Sequence, residues 1–308
     1  MSSEHRPGER KGRRERRKKT KAMIFESNPM TGKSWPAPAK LNLFLHVLNR
    51  RPDGYHNLQT VFQFLDFGDE LFFEPRTDGK IRRVNAIDGL AETDDLAVRA
   101  ALALKKETGC ASGCDIRINK RIPLGGGLGG GSSDAATALV ALNQLWNLKL
   151  SEDRLAEISL ALGADVPVFV RGRAAWAEGI GEKLTALELP EPWYLVVTPP
   201  CSVSTREIFR SAELPRANPP ITRAQFQSGL GRNDCLDAVR RHYPPVGQAL
   251  DWLSAHGRAR LSGTGASVFA DFPDEAKARK LASLVPEAWR WIVARGRNQS
   301  SLHAGIQL

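Results

Sequence analysis

The strongest chemical signature in the sequence is one run, RIPLGGGLGGGSSDAA, with six glycines between Pro123 and Ser132. Glycine has no Cβ, so it reaches backbone conformations closed to other residues and lets a ligand approach the main chain. Behind the run, Ala135, Ala136, Leu139, Leu142 and Trp146 recur at helical spacing, which predicts a helix from Ser133 to Trp146. The free N–H groups in the first turn of such a helix, together with its dipole, attract anions. Ser132 and Ser133 add hydroxyl donors at the same end. This combination suits a polyphosphate. No Gly-Lys-[Ser/Thr] closes the run, so it is not a Walker A loop, and it lacks the strand-to-helix context of a dinucleotide fingerprint. The alternative is a flexible linker, but a linker would not feed a well-patterned helix.

Three further segments carry candidate groups. In LGADVPVFV, Asp165 could accept a proton from a hydroxyl. It could equally cap a short helix, with Pro167 just inside its start. In PAPAKLNLFL, Lys40 sits on the polar side of an otherwise apolar strand. An ammonium there must be paired or functional, because burying it alone is costly. Beside a phosphate loop, a Lys–Asp pair serves structure or catalysis. In LSGTGASVFA, Gly263 and Gly265 make a second tight turn able to approach phosphates.

The elements that must position these groups read as strands followed by helices without regular alternation, which favours an α+β architecture. Residues 39–48 alternate, with Leu41, Leu43, Leu45 and Val47 on one face and Lys40, Asn42, Phe44 and His46 on the other. Pro52-Asp53-Gly54 reads as a turn. QTVFQFLDF and ELFFEP read as two successive strands. A helix follows from Asp94 to Lys106, capped by Asp94 or Asp95. CDIRINK is a strand, and Ser151 caps a helix that Gly163 ends. WYLVVTPP, RARLSGTGASVFADF and RWIVAR supply later strands among several helical stretches.

The chain has 308 residues, enough for two domains or one large one. No stretch reaches the roughly 18 uninterrupted apolar residues of a membrane span, and a cytoplasmic location is expected. Cys110, Cys114, Cys201 and Cys235 form no CxxC pair and have no neighbouring histidine, so reduced thiols are expected rather than zinc. Net charge is +10, and residues 1–22 alone hold ten Lys or Arg against three Glu. That segment is too polar to join a core and reads as disordered. It has no interleaved aromatic residue, so nucleic-acid binding is not expected of it.

Together and in this order, the four segments resemble the GHMP kinase family, whose phosphate-binding signature is a proline-led glycine run similar to residues 123–133. RPDGYHNLQTVFQFLD adds a Pro-Asp-Gly-Tyr-His segment that is similar to one branch of that family. The resemblance implies an α+β, two-domain fold with the active site in the interdomain cleft. Residues 1–34 would be a disordered basic tail, 35–188 an N-terminal domain with the ATP phosphate loop, and 189–308 a C-terminal domain. It implies ATP-dependent phosphorylation of the tertiary 2-hydroxyl of a methylerythritol unit carried on cytidine diphosphate, in the non-mevalonate route to isoprenoid precursors. Mg²⁺ follows from the reaction class. Carried over by motif, Asp165 is the base and Lys40 polarises the hydroxyl. Asn42, Tyr55, His56 and Phe62 hold the substrate, with Phe209 near the cytosine. Pro123, Gly125, Gly126, Gly127, Leu128, Gly129, Gly130, Gly131, Ser132 and Ser133 hold ATP. Asp95, which stands where the family pattern has asparagine, lies on the nucleotide side. A monomer or homodimer is expected. Other branches, such as homoserine or mevalonate kinase, are the competing reading, and the Pro52–His56 segment argues against them.

Overall fold

The computed structural model describes Met1 and residues 33–304. The basic segment expected to be disordered therefore lies, apart from Met1, Lys33 and Ser34, outside the described residues. Strand β1 (Trp35–Arg50) and strand β2 (His56–Arg76) are joined by the expected Pro-Asp-Gly turn, where Asp53 accepts from the Tyr55 amide at 3.0 Å. Both strands outrun the sequence expectation. What read as two strands, 59–67 and 70–75, is one, because Gly68 lets β1 and β2 run close together. A Cβ on Gly68 would lie 2.3 Å from the Ala37 carbonyl oxygen.

The expected alternation along β1 also fails, at a bulge between Asn42 and Leu45. Phe44 packs in the same apolar cluster as Leu41 and Leu43, while Leu45 and Val47 join a different one. The bulge ends the polar face after Asn42 and leaves Lys40 and Asn42 side by side, with a hydrogen bond between their side chains.

The first half continues with β3 (Ile81–Arg83), α1 (Leu96–Thr108), β4 (Gly113–Asn119), α2 (Gly130–Leu145), α3 (Glu152–Leu160), α4 (Val166–Arg171), β5 (Ala175–Gly179) and β6 (Lys183–Ala186). Asp95 caps α1 by accepting from Ala97 N at 2.8 Å. Helix α2 starts three residues before the expected Ser133: its cap is Gly129, at φ +74°, so Gly130 and Gly131 lie in the first turn. The second half holds β7 (Trp193–Thr198), α5 (Thr205–Arg210), α6 (Arg223–Gln227), α7 (Leu236–His242), α8 (Pro244–Ser254), β8 (Arg260–Leu261), β9 (Val268–Phe272), α9 (Glu275–Ala282) and β10 (Arg290–Arg297).

Strand β2 is the spine. It pairs antiparallel with β1, β4 and β5, and β3 adds to β4 in parallel. Strands β10, β7, β9 and β8 form a second antiparallel set, joined to β2 through Gly296↔Leu65 and Arg297↔Phe64. One apolar core packs α1–α4 on the β2 side, and a second packs α5, α7, α8 and α9 on the β7 side. A third, including Leu41, Phe44, Leu128 and Phe269, lies between them. Strand β1 contributes to all three, so its polar pair sits where they meet. After β10 the chain returns to the first core, where Leu302 is buried and His303 Nε2 lies 3.3 Å from the Phe169 carbonyl. The architecture is α+β, as the order of elements implied. Among the described residues no helix is long and apolar enough to cross a membrane.

Candidate active site

Strand β1, the glycine run and the start of α4 border one cavity of about 520 Å³, a size typical of small-molecule sites. Lys40 Nζ lies 3.1 Å from Asp165 Oδ2, bonds Asn42 Oδ1, and faces the Gly127 carbonyl at 3.4 Å. The Lys40 side chain is 3% exposed and that of Asp165 36%. A buried ammonium needs this company, since removing its partners would leave an uncompensated charge. Asp165 occupies the N-cap position of α4, yet its side chain makes no capping bond. Of the two roles the sequence left open, the carboxylate takes the pairing with Lys40. It faces the cavity, where a partly solvated carboxylate can accept a proton.

Asn42 is itself fixed. Its Nδ2 donates to Thr60 Oγ1 at 3.0 Å, and its amide donates to Ser262 Oγ at 3.3 Å. Ser262 Oγ passes the connection on by donating to the Gly127 carbonyl at 2.9 Å. The two glycine turns are thus one construction. Ala266 N donates to the Gly125 carbonyl at 3.2 Å, and Ser267 N to the Gly126 carbonyl at 3.0 Å. Gly127, at φ +72°, admits no side chain, because a Cβ would lie 2.4 Å from the Ser262 carbonyl oxygen.

Most residues singled out in the sequence converge here. Lys40, Asn42, Phe62, Asp165 and Phe209 line the cavity with Pro123, Leu128, Ser132 and the six glycines Gly125, Gly126, Gly127, Gly129, Gly130 and Gly131. Ser133 is buried behind them, and its Oγ has no hydrogen-bond partner. Besides Ser133, three residues do not line the cavity. Asp95 is spent on its cap and on Arg83, whose guanidinium is 2.9 Å away. Tyr55 is 59% exposed at the turn. His56 stacks on the wall residue Phe209, with ring centroids 5.4 Å apart and planes at 29°.

The cavity also holds residues that the sequence reading missed. Thr205 and Thr264 share a hydroxyl–hydroxyl bond of 2.9 Å, tying α5 to the second glycine turn. Thr264 lies inside the LSGTG segment and was within reach of the sequence; Thr205 carried no signal. Lys120, just ahead of the glycine run, is another lining residue. Its Nζ bonds Asp69 Oδ2 at 2.5 Å and Asp134 Oδ2 at 2.8 Å. Asp69 also accepts from the amides of Arg121 and Ile122, which anchors the entry to the loop.

Burial pushes the Asp134 carboxyl up to about 8, against the pull of Lys120, and its Oδ1 has no partner. A carboxyl raised in the folded state binds protons that the unfolded chain has released. Its contribution to stability is therefore fully present below the ordinary value of 3.8 and lost as pH rises through about 8. The unfolding midpoint should fall between about pH 4 and 8 and level off above, and Asp134→Asn should flatten that fall when both proteins are melted across the range. An equal slope in the two would assign the fall to other groups.

Two family models match the chain: GHMP kinases N terminal domain over residues 95–173 and GHMP kinases C terminal over residues 221–290. The chain is 55% identical over 272 residues to a 4-diphosphocytidyl-2-C-methyl-D-erythritol kinase of Halorhodospira halophila, covering 87% of this chain and 94% of that one. It is 56% identical over 274 residues to the kinase of that name from Pseudomonas paraeruginosa, covering 89% and 97%. A crystal structure of 4-(cytidine 5'-diphospho)-2C-methyl-D-erythritol kinase superposes with a TM-score of 0.75 at 33% identity, over 86% of this chain and 99% of that one. The mevalonate kinase of Methanococcus jannaschii shares the fold at 16% identity, with a TM-score of 0.63 over 87% and 99% of the two chains.

Proposed function

The chain belongs to the GHMP kinase family and is a small-molecule kinase, and we propose that it phosphorylates the 2-hydroxyl of 4-diphosphocytidyl-2-C-methyl-D-erythritol from ATP, in the non-mevalonate route to isoprenoid precursors. The observation that carries this reading is the Lys40–Asp165 pair, 3.1 Å apart at the edge of the glycine run. Asp165 takes the proton of the acceptor hydroxyl as the oxygen attacks phosphorus. Lys40 orients that hydroxyl and offsets the charge that develops on it. The amides around Gly129–Gly131 and the helix α2 N-terminus hold phosphate oxygens. The orphaned Ser133 Oγ, buried beneath the loop, fits a site of that polarity. When bound, ATP supplies the phosphoryl group, and Mg²⁺ neutralises its β- and γ-oxygens. Mg²⁺ of this kind is held by one or two protein oxygens together with the substrate phosphates and water.

The division near residue 189 follows from the same reading, with one family model matching on either side. Residues 35–188 then supply Lys40, Asp165 and the phosphate loop. Residues 189–308 supply Thr205, Phe209 and the Gly263 turn. A cytoplasmic location accords with this metabolic role.

Tyr55, His56 and Phe209 are assigned to the cytidine end. An aromatic ring stacked on a base contributes about 1–3 kcal/mol, and His56 already stacks on Phe209. ATP consumption should be fast with the cytidine-linked acceptor and near background with homoserine, mevalonate and bare methylerythritol phosphate. His56→Ala should erode that preference by about tenfold or more while leaving the ATP KM in place. Comparable turnover of mevalonate or homoserine by the intact protein would move the assignment to another branch.

A further inference from the structure

Arg216 lies between α5 and α6 and makes four hydrogen bonds. Its Nη2 donates to the carbonyls of Phe209 at 3.3 Å and Ser211 at 2.7 Å, and its Nη1 to that of Leu214 at 3.3 Å. These contacts hold the guanidinium at the C-terminal end of α5, where unpaired carbonyls and the helix dipole favour a cation. The remaining bond runs from Nε to His56 Nε2 at 3.3 Å. A guanidinium has five N–H donors and no lone pair. His56 Nε2 must therefore accept, and the ring proton of the neutral imidazole is confined to Nδ1.

We infer that Arg216 is a positioning residue for base recognition: by donating to His56 Nε2, it fixes Nδ1 as a hydrogen-bond donor and so selects cytosine over uracil. The inference rests on the cytidine-linked acceptor proposed above. Cytosine presents two adjacent acceptors, O2 and N3. Uracil carries a hydrogen on N3, and that hydrogen opposes a donor. An imidazole free to change tautomer would turn an acceptor to uracil N3–H and serve both bases. One locked from behind cannot, and a base that leaves a buried polar group unpaired is rejected.

The surroundings of the ring act in the same sense. Burial first, then the positive charges of Arg216 and Arg50, holds His56 below its ordinary value, so the ring is neutral at pH 7. The Phe209 ring covers one side at 5.4 Å, and its own carbonyl accepts from Arg216, so the stacking partner and the tautomer lock are fixed by one guanidinium.

The test uses the full-length protein. Its ¹⁵N spectrum should show His56 protonated on Nδ1 near pH 7.5. kcat/KM should favour the cytidine-linked acceptor over its uridine-linked analogue. Arg216→Gln, whose amide both donates and accepts, should mix the tautomers and lower that ratio by about tenfold or more. The loss should fall mainly in acceptor KM, with ATP KM unchanged. Arg216→Lys keeps a donor-only group and should retain the Nδ1–H tautomer and most of the ratio. A wild-type His56 protonated on Nε2 would overturn the inference without any variant. So would equal losses for both bases in Arg216→Gln with no rescue by lysine. An intact enzyme that ignores the cytidine-linked acceptor altogether would instead sink the functional reading beneath it.

Discussion

Asp165→Asn lowers kcat by about 10²–10⁴-fold, the range a positioned general base contributes, and leaves the fold standing. Asparagine has nearly the same shape and can still accept a bond from Lys40 through its amide oxygen, but it cannot take up a proton at neutral pH. The substitution costs Lys40 its anionic partner, and two features of the site moderate that cost. The side chain is 36% exposed, and it makes no cap bond to α4 that could be lost. Lys40 keeps Asn42 Oδ1 and the Gly127 carbonyl as partners. Because the proposed role of Asp165 is toward the acceptor hydroxyl, KM for ATP should change little. Steady-state kinetics beside a thermal melt make the check. A kcat within about tenfold of the parent, in a folded variant, would reduce Asp165 to a charge partner of Lys40.

Gly129→Val should raise the Kd for ATP by about 10²-fold or more, roughly 2.7 kcal/mol. At φ +74°, Gly129 occupies the left-handed region that a β-branched residue resists. Its Cβ would fall 2.7 Å from Phe169 Cζ and 3.0 Å from Lys40 Cε. The change therefore displaces both the first turn of α2 and Lys40. Gly131 provides the contrast. Its backbone is helical, and a Cβ would meet only Leu96 Cδ1, at an ordinary 3.4 Å. Gly131→Ala should fold as well as the parent or better, since alanine gains about 1 kcal/mol over glycine inside a helix, yet it still places a methyl group in the cavity wall. Calorimetry with ATP should show a large loss for the first and a smaller one for the second. A folded Gly129→Val that binds ATP normally would mean that the phosphates lie elsewhere.

The site was more legible in the sequence than the frame that holds it. The glycine run announced itself because six glycines leading into an apolar helical pattern have few structural uses. Lys40 stood out as a cation among apolar neighbours on a strand. A Lys–Asp pair was foreseeable in kind, but only the family resemblance pointed to Asp165, because the contact joins β1 to the start of α4 and depends on how distant segments pack. The start of α2 was misplaced because glycine disfavours helix on propensity alone, whereas Gly129 as cap pulls Gly130 and Gly131 into the first turn. Bulges were invisible too. The one in β1 reverses the side taken by Phe44, and nothing in the alternation of LNLFLHV betrays it. Asp95 was placed on the nucleotide side from the family pattern, while the structure spends its carboxylate on the α1 cap and on Arg83. Arg216 escaped notice because an arginine in an irregular stretch is ordinary until its partners are known.

The return of the chain to its first core has a consequence for the order in which the molecule is completed. Leu302 is buried in the core that holds α1–α4, and His303 closes against the end of α4 at Gly172 and Phe169. Synthesis proceeds from the N-terminus, so the helix that follows Asp165 emerges long before the residues that cover it. A growing chain can form the glycine run and still lack the residues that cover the C-terminal end of α4. A chain cut short before Leu302 would leave part of the first core uncovered, the kind of apolar surface that chaperones and proteases recognise.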